Sequence, residues 1–249
     1  MRNLLLTLRF VGTRYCGFQV QKNGISVAEV FQDATEAVLG HRPDIKGCSR
    51  TDAGVHALAY GLSLRTGHAI PVEKLPLALN AHLPDDIAVT ACREVQGDFH
   101  ARYCAVGKEY IYKICNTACR DPFYDGLALR YPAPLDAVRM DSQAKRFIGT
   151  FDFSAFCNSG SGVIDRVRTI SSCSVSREGD RVLFAVTGDG FLYNMVRIMV
   201  GTLLDIEAGR LPRDSIDDIM ASKRRDRAGA TAPAHGLYLS QVFYPGTVL

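Results

Sequence analysis

One carboxylate is the first candidate for chemistry, because small and polar residues surround it immediately before an apolar segment. It lies in the run Ser49-Arg50-Thr51-Asp52-Ala53-Gly54-Val55-His56-Ala57. An ionised carboxylate in an enclosed site can attack a substrate covalently and split one hard step into easier ones. A turn aspartate that bonds its own backbone has the same local pattern, and for Asp52 taken alone this structural interpretation is the more common one.

Two further residues are candidates to join Asp52. Arg197 lies in residues 195–200, which are apolar nearly all the way round a helix. Its guanidinium must either reach solvent or meet an anion, because an unpaired buried charge is very costly. Tyr110 lies beside Lys108 on a predicted strand, and its hydroxyl needs a polar partner if it is buried. An arginine close to the carboxylate would keep it ionised, so the three residues would make a catalytic set if the fold brought them together.

Hydrophobic periodicity predicts the element order β-α-β-β-α-β in residues 1–100. A glycine-rich loop over residues 11–24 follows the first strand. Ser26 and Glu29 form a capping box at the start of the first helix, and Gly40 ends that helix. The predicted segments are, in order, residues 4–10, 27–38, 46–49, 58–64, 71–82 and 87–95.

The second half of the chain repeats this order without obvious sequence identity. Its predicted segments are a strand at 110–114, a helix at 135–148, a hairpin of 167–177 with 181–188, helices at 193–208 and 212–222, and a strand at 236–244. Residues 1–100 and 101–249 are therefore predicted to be two ferredoxin-like halves of an α+β protein. Such halves can share a mostly antiparallel sheet and leave a cleft between them.

The composition is that of an ordinary globular protein and excludes a disordered or low-complexity chain. Of the 249 residues, 47% are hydrophobic and 22% are charged, and 29 Lys and Arg against 26 Asp and Glu give a formal net charge of +3. Any nucleic-acid surface must therefore be a local patch. The basic run Lys223-Arg224-Arg225-Asp226-Arg227 is either a solvated turn or a set of phosphate contacts.

No segment predicts a membrane span, a secretory signal or a metal site. The longest nearly apolar run, residues 195–204, is too short for a bilayer, and a charge at Arg9 interrupts the N-terminal leucines. We therefore expect a cytoplasmic protein. The eight cysteines include no Cys-x-x-Cys pair and the six histidines have no zinc-ligand spacing, so we expect neither a metal nor a disulfide.

Five ordered blocks carry a resemblance that covers almost the whole chain. They are Arg50-Thr51-Asp52-Ala53-Gly54-Val55-His56-Ala57, then Phe99-His100-Ala101-Arg102 with Tyr110, then Gly149-Thr150-Phe151-Asp152-Phe153-Ser154-Ala155-Phe156-Cys157, then Gly190-Phe191-Leu192 with Met195-Val196-Arg197, and finally Thr231-Ala232-Pro233-Ala234-His235-Gly236-Leu237-Tyr238-Leu239. In these blocks the sequence resembles the TruA family of tRNA pseudouridine synthases. Chance is a poor explanation for five blocks in this order.

The resemblance implies an isomerase that converts uridine to pseudouridine at positions 38 to 40 of the tRNA anticodon stem-loop, without cofactor or metal. In that family the aspartate that matches Asp52 is the nucleophile, and whether it attacks the sugar or the base is left open by the sequence. The arginine that matches Arg197 would pair with Asp52. Arg50 would take up the space or charge left by the extruded nucleotide, and Tyr110 would stack on or bond to the uracil and assist proton removal from C5.

Other residues are assigned to substrate binding by the same resemblance. Leu237 and Leu239 would form an apolar pocket wall, although simple strand core explains them nearly as well. Arg102 and Lys108 are candidates for phosphate contacts, which would make binding salt-dependent. The resemblance further implies that the protein acts on tRNA as a homodimer.

Three departures from the family pattern and three other hypotheses bear on this interpretation. Val11 stands where the family usually has Asp, Ala28 where it often has Gln, and Ser49 where it commonly has Gly. The first two lie near the glycine-rich loop, so the same reaction on a different or narrower set of RNA positions is the alternative. An RNA-binding module built like paired RRM domains lacks its aromatic signature here, and a metal-assisted hydrolase lacks ligand spacing.

Overall fold

The described part of the chain, residues 1–160 and 162–249 of a computed structural model, alternates strands with helices as the periodicity predicts. The strands are β1 Arg2–Phe10, β2 Ile45–Gly47, β3 His56–Thr66, β4 Ile87–Val95, β5 Gly107–Cys115, β6 Leu129–Arg130, β7 Gly149–Asp152, β8 Val167–Glu178, β9 Arg181–Gly188, β10 Leu237–Tyr244 and β11 Thr247–Val248. The helices are α1 Val27–Leu39, α2 Leu75–Asn80, α3 Ala137–Ala144, α4 Met195–Glu207 and α5 Ser215–Ser222. The predicted α+β class with mostly antiparallel pairing is confirmed.

The chain divides into two compact units. The first contains Met1–Val106 together with Tyr238–Leu249, and the second contains Gly107–Leu237. The sequence predicts a division between residues 100 and 101, with the last strand in the second half. In the structure the C-terminal residues group with the first unit, because β10 pairs in parallel with β3, Tyr238 lying opposite His56.

The first unit has the strand order of a ferredoxin-like fold. Strand β1 is central, pairing antiparallel with β3 on one side and β4 on the other. Four of its leucines, Leu4, Leu5, Leu6 and Leu8, are almost completely buried, so the strand is covered on both faces. Strand β3 also pairs with two other strands, with β2 at Leu62–Leu64 and with β10 at His56 and Ala57.

Helix α1 begins and ends where its sequence signals predict. The Oγ atom of Ser26 accepts a hydrogen bond from the backbone N–H of Glu29 at 3.2 Å, which confirms the N-cap. Gly40 has a φ of 73° and ends the helix in the left-handed conformation. An N-cap of this kind contributes about 1 kcal/mol to stability. The buried residues of the helix, including Phe31 and Ala34, face the core.

The second unit is built on the antiparallel order β5-β9-β8-β7, with the short strand β6 parallel to β5. The predicted hairpin of β8 and β9 is confirmed, and Gly179 at its turn has a φ of 59°. Helix α3 is tied to β8 because Asp141 Oδ1 accepts from the backbone N–H of Val175 at 2.9 Å. Strands β6 and β7 were not predicted, since two and four residues are too few for periodicity to detect.

Four helices are shorter than the sequence predicts, and α4 is the least affected, since it covers Met195–Glu207 of the predicted residues 193–208. Residues 71–82 form only α2, which carries Pro76 in its first turn, the position where a helix tolerates a residue without N–H. Helix α3 starts at Ala137 because Asp136 caps it by accepting from the N–H of Arg139. Helix α5 likewise covers only the second part of residues 212–222.

Within the described residues, no helix is both long and apolar enough to span a bilayer.

Candidate active site

Asp52 lies in a tight turn of the first unit, just before β3. The backbone N–H of Val55 donates to the carbonyl oxygen of Asp52 at 3.2 Å, and Gly54 has a φ of 78°. The side chain of Asp52 is half-buried, whereas its neighbour Thr51 is buried. The turn therefore presents the carboxylate at the border of the core and not on an open surface.

The glycine-rich loop after β1 holds this turn by backbone hydrogen bonds. The N–H of Gly54 donates to the carbonyl oxygen of Tyr15 at 3.2 Å, and the N–H of Phe18 donates to that of Thr51 at 3.4 Å. The two bonds engage residues on both sides of Asp52. Because both are made by the backbone, they fix the position of the turn independently of side-chain rotamers.

Two glycines make this close approach possible. A Cβ atom on Gly12 would lie 1.9 Å from the carbonyl oxygen of Val55, and one on Gly17 would lie 2.3 Å from that of Thr51. Gly17 also has a φ of 89°, a conformation that residues with a Cβ rarely adopt. The glycines of residues 11–24 predict a loop, but only the structure shows that Gly12 and Gly17 contact the Asp52 turn.

His56 links the same loop to β10. It is fully buried, its Nδ1 accepts a hydrogen bond from the N–H of Gly12 at 3.0 Å, and its ring stacks on Tyr238 with centroids 4.5 Å apart. An Nδ1 that accepts carries no proton, so the neutral ring has its proton on Nε2. These contacts fix the orientation of the His56 ring.

The base of the loop is anchored by Asp86, a residue that the sequence analysis did not single out. Asp86 Oδ1 accepts from the hydroxyl of Tyr15 at 2.6 Å, and Oδ2 accepts from Nε of Arg14 at 2.8 Å. The backbone oxygen of Asp86 accepts from Val11 N–H at 2.9 Å. Burial, helped by Asp86, raises the pKa of Tyr15 to about 12, so its hydroxyl stays protonated and donating at neutral pH.

The other predicted residues of the first unit differ in burial. Leu239 is completely buried and lies opposite Ala57 in the pairing of β10 with β3, which brings it to the end of the Asp52 motif. Arg50 is exposed. Arg102 is exposed as well, with its guanidinium carbon 5.8 Å from the ring centroid of Tyr103. An exposed guanidinium stays hydrated in the free protein, so the fold does not carry the cost of burying an unpaired charge before phosphate binds.

In the second unit, Arg197 lies in the first turn of α4 and its guanidinium is held by hydrogen bonds. Nε donates to the carbonyl oxygen of Ala232 at 2.7 Å, and Nη1 donates to Oδ1 of Asn194 at 2.7 Å. The backbone N–H of Ala232 returns a bond to the carbonyl oxygen of Arg197 at 3.0 Å. The half-buried guanidinium is therefore oriented by neutral oxygens from two different segments.

Asn194 owes its position to an unusual backbone. It precedes α4 with a φ of 60°, and it is one of two residues other than glycine with positive φ in the described chain. Asparagine tolerates this conformation better than most residues. The conformation accompanies the hydrogen bond from Oδ1 to Arg197. The sequence shows that an asparagine precedes an apolar helix. It does not show that this asparagine accepts a hydrogen bond from Arg197.

Tyr110 lies on β5 and is almost completely buried, with 6% of its surface exposed. It is opposite Val186 of β9, and its ring meets that of Phe191 edge to face with centroids 5.0 Å apart. Lys108, two residues earlier, is half-buried and opposite Gly188. The aromatic pair limits the rotation of the Tyr110 ring.

Tyr112 and the segment before β10 pack against each other. The Tyr112 hydroxyl donates to the carbonyl oxygen of Pro233 at 2.7 Å, and a Cβ atom on Gly236 would lie 2.5 Å from the Tyr112 ring. Burial raises the pKa of Tyr112, an effect that the nearby cation of Arg197 partly offsets. Leu237 comes directly after Gly236 and is buried. Its burial is compatible with a place in the strand core and with a place in a pocket wall.

The basic run after α5 is only partly a solvated turn. Lys223 pairs with Asp152 at 2.9 Å, and Arg224 pairs with Asp226 at 2.6 Å. Arg225 differs, because it is half-buried and donates to oxygens of the second unit. The side chain in the middle of the run is thus engaged inside the protein.

Each unit carries part of the predicted set. Asp52, Arg50, Arg102 and Leu239 belong to the first unit, and Tyr110, Lys108, Arg197 and Leu237 belong to the second. Among the residues with described positions, no three His, Cys, Asp or Glu side chains group as a metal site. The sequence analysis missed Asp86 and Asn194, which contact candidate segments, and it considered Arg225 only as part of a solvated or phosphate-binding run.

Comparisons with known proteins identify relatives along nearly the whole chain. Residues 7–104 and 143–245 match the family model described as tRNA pseudouridine synthase. A tRNA pseudouridine synthase A of Acetivibrio thermocellus is 45% identical over 244 residues, which cover 98% of this chain and 100% of that protein. One of Caldicellulosiruptor saccharolyticus is 44% identical with the same coverage. The solved structure titled "Crystal Structure of a Cbf5-Nop10-Gar1 Complex" covers 79% of this chain and 43% of its own at 14% identity, and its TM-score of 0.39 is too low to establish a common fold.

Proposed function

The chain belongs to the tRNA pseudouridine synthase family, isomerases that convert uridine to pseudouridine, and we propose that it acts on the anticodon stem-loop of tRNA, at positions 38 to 40, with Asp52 as nucleophile. The resemblance found in the sequence is confirmed at the level of the family. The substrate position and the roles of individual residues are the proposal.

The observation that carries the proposal is the fixed position of the Asp52 turn. Backbone hydrogen bonds from Gly54 to Tyr15 and from Phe18 to Thr51 hold it on both sides, and the side chain is half-buried. A nucleophile fixed before substrate binds avoids much of the entropy cost of reaching the reactive geometry. A carboxylate that merely terminated a turn would need no such support from a second loop.

The proposed reaction rearranges bonds within one nucleotide. The target uridine leaves the base stack at a cost of a few kcal/mol, and the Asp52 carboxylate attacks its sugar or its base. The bond from N1 to the ribose breaks, the uracil turns, and C5 forms the new bond to the same ribose carbon. The proton on C5 is removed and N1 gains one, so the product is an isomer of the substrate and no oxidant or reductant is needed.

Residues of the second unit are assigned supporting roles. Arg197 is the cation that keeps the nucleophile ionised, and its hydrogen bonds to Ala232 and Asn194 fix the direction of its guanidinium. Tyr110 contacts the uracil and assists removal of the C5 proton, with its ring held by Phe191.

The remaining assignments concern how the RNA is held. Arg50 occupies the space left by the extruded nucleotide, Leu237 and Leu239 form apolar pocket wall, and Arg102 and Lys108 contact phosphates. Arg102 is exposed, which suits a phosphate contact, and Arg50 is exposed as well, so RNA can reach it. We further propose that the protein works as a homodimer in the cytoplasm, which sedimentation and fractionation would test.

Asp52→Asn tests the nucleophile. It keeps the size of the side chain and removes its negative charge, so we expect unchanged binding of an unmodified tRNA transcript and no pseudouridine formation. Asp44→Asn is the matched control, because Asp44 is exposed and forms an ion pair with Lys46 at the surface. Normal turnover by Asp52→Asn would show that another group is the nucleophile.

Mapping pseudouridine by position in a set of transcripts tests the substrate assignment in the same experiment. Product at positions 38 to 40 supports the proposal. Product elsewhere supports the alternative of a different or narrower set of positions, which is motivated by Val11 in the glycine-rich loop and Ala28 in the first helix.

A further inference from the structure

Arg225 directs its guanidinium into the second unit and bridges three parts of it. Nε donates to Oδ1 of Asn158 at 2.8 Å, Nη1 donates to the carbonyl oxygen of Gly229 at 2.9 Å, and Nη2 donates to Oγ1 of Thr231 at 3.0 Å. The residue lies in a short helical turn, Arg225–Arg227, after α5. One side chain therefore joins the segment before β8 to residues 229–231.

Two of the partners of Arg225, Thr231 and Asn158, connect it to hydrogen bonds that Arg197 makes. Thr231 directly precedes Ala232, whose carbonyl oxygen accepts from Nε of Arg197 at 2.7 Å. The backbone N–H of Asn158 donates to the carbonyl oxygen of Tyr193 at 3.2 Å.

Tyr193 in turn precedes Asn194, whose Oδ1 accepts from Nη1 of Arg197 at 2.7 Å. Two acceptors of the Arg197 guanidinium are thus connected to Arg225, Ala232 through Thr231 alone and Asn194 through Asn158 and Tyr193. Asn158 and Thr231 are also joined directly, because Nδ2 of Asn158 donates to Oγ1 of Thr231 at 3.4 Å.

The segment of residues 228–232 also lies tightly on α4. The N–H of Gly229 donates to Oγ1 of Thr202 at 3.0 Å, and that of Ala230 donates to Oδ2 of Asp205 at 3.0 Å. A Cβ atom on Gly201 would lie 1.7 Å from the carbonyl oxygen of Ala230. Since the segment and the helix are this close, a small shift of the segment moves the Ala232 carbonyl relative to Arg197.

The chemistry of the bridge requires an arginine. Its acceptors are neutral oxygens of an amide, a carbonyl and a hydroxyl, spread in directions that a planar fork with five N–H groups can reach and a single ammonium cannot. Burial lowers the pKa of Arg225 from its ordinary value, yet an arginine remains a cation at neutral pH.

We propose that Arg225 is a positioning residue for the isomerisation, acting through Arg197 by fixing the Ala232 carbonyl and Asn194. This inference rests on the proposed role of Arg197. A positioning role differs from the phosphate contact that the basic run suggested, because the guanidinium of Arg225 donates its hydrogen bonds to groups of the protein.

Steady-state and single-turnover rates on an unmodified tRNA transcript separate the two roles. Arg225→Gln is expected to lower kcat by up to about 100-fold, the cost of a misplacement of about 1 Å, and to change KM by less than about threefold. Arg225→Lys is expected to fall between Gln and the parent. Arg181→Gln, which removes an exposed arginine paired with Glu178, is the control and should keep the parental kcat. A phosphate contact would instead raise KM and lower the salt slope of binding by about one, and that result overturns the proposal.

Thr231 offers a pair of variants that leave Arg225 in place. Thr231→Val keeps the shape and removes the acceptor of Nη2, so kcat should fall in the same direction as in Arg225→Gln. Thr231→Ser keeps the hydroxyl and should retain the parental kcat. If Val and Ser behave alike, the bond between Arg225 and Thr231 does not matter for the reaction and the proposal fails.

A double-mutant cycle with Arg197→Lys identifies the route of the effect. If Arg225 acts through Arg197, Arg225→Gln should cost less than about threefold once Arg197 is replaced, whereas an independent structural role gives the same cost in both backgrounds. Equal costs overturn the positioning role and leave the proposed function intact. An Arg197→Lys variant with the parental rate overturns the proposed role of Arg197 itself, so the two failures are distinguishable.

Amide hydrogen exchange provides a readout that needs no activity. In Arg225→Gln the amides of Gly229, Ala230 and Ala232 should exchange faster, while those of β8 and β9 keep the parental rate. Uniformly faster exchange would indicate general destabilisation, and unchanged exchange at all three amides would show that Arg225 does not hold the segment; either result contradicts the inference.

Discussion

Gly54 and Tyr15 are joined by a hydrogen bond from the Gly54 N–H to the Tyr15 carbonyl oxygen, 3.2 Å long, across 39 positions of sequence. This bond attaches the turn that carries Asp52 to the loop that follows β1. The Tyr15 hydroxyl is itself bound to Asp86. The position of the candidate nucleophile is therefore set by a loop that contains no group proposed to react.

Gly17→Ala should impair the reaction more than the fold. The new Cβ would lie 2.3 Å from the Thr51 oxygen at a backbone with φ of 89°, so the Asp52 turn has to move. We expect a loss of about 1–3 kcal/mol in the free energy of unfolding from the strained backbone and a fall in kcat of about 100-fold. Gly67→Ala is the control, since a Cβ there meets nothing within 4 Å. Equal rates for the two variants would contradict the conclusion that close packing of Gly17 holds the Asp52 turn in place.

Tyr15→Phe removes only the hydroxyl that binds Asp86. The free energy of unfolding, measured by urea denaturation, should fall by about 1 kcal/mol, and kcat should fall severalfold because the anchor of the loop is weakened. Tyr124→Phe, a hydroxyl deletion in the second unit, is the comparison. An unchanged kcat in Tyr15→Phe would show that Arg14 and the backbone of Asp86 suffice to hold the loop.

Asn194→Gly and Asn194→Ala separate backbone strain from hydrogen bonding. Glycine accepts a φ of 60°, so Asn194→Gly should keep nearly the parental stability and lose about tenfold in kcat, because Arg197 loses one acceptor. Asn194→Ala removes the same acceptor, and its free energy of unfolding should be lower than that of Asn194→Gly by about 1 kcal/mol. If Asn194→Gly has the parental kcat, the bond from Arg197 to Asn194 is not needed for the reaction.

Asp141 predicts a pH dependence of stability in the second unit. Its hydrogen bonds with Lys145 and the Val175 N–H outweigh burial and hold the pKa of this carboxyl below its ordinary value. The carboxylate therefore stabilises the fold above about pH 4, the pKa in the unfolded chain, and this contribution disappears as the pH falls through the lower folded pKa.

Urea denaturation of Asp141→Asn measures that contribution. The variant should be less stable by about 1 kcal/mol at pH 7, and the difference should shrink toward zero below about pH 3. Asp180→Asn, at the exposed turn of the β8–β9 hairpin, is the control and should show no such trend. A difference that stayed constant with pH would mean that the charge of Asp141 is not the cause.

Much of the local structure could be predicted from the sequence. Helix α1 was predicted from Ser26 to Gly40 because a cap and a left-handed stop involve residues a few positions apart. The β8–β9 hairpin was predicted for the same reason, since its turn and alternating pattern are contiguous. The five family blocks were also visible in the sequence, and family membership is confirmed.

The partners of the functional residues could not be predicted. The bond from Gly12 to His56 spans 44 residues and that from Arg197 to Ala232 spans 35. The basic run was predicted to be a solvated turn or a set of phosphate contacts, and only the structure places Arg225 against Asn158 and Thr231.

The amino-acid sequence by itself determined the α+β class, most helix and strand positions and the family, because periodicity, caps and motif spacing depend on neighbours along the chain. The tertiary structure alone decided which backbone groups hold the Asp52 turn, how Asn194 and Ala232 orient Arg197, and that Arg225 binds inside the protein. Contacts of this kind arise when distant segments pack, since a buried donor or acceptor must then find a partner from whichever segment lies beside it.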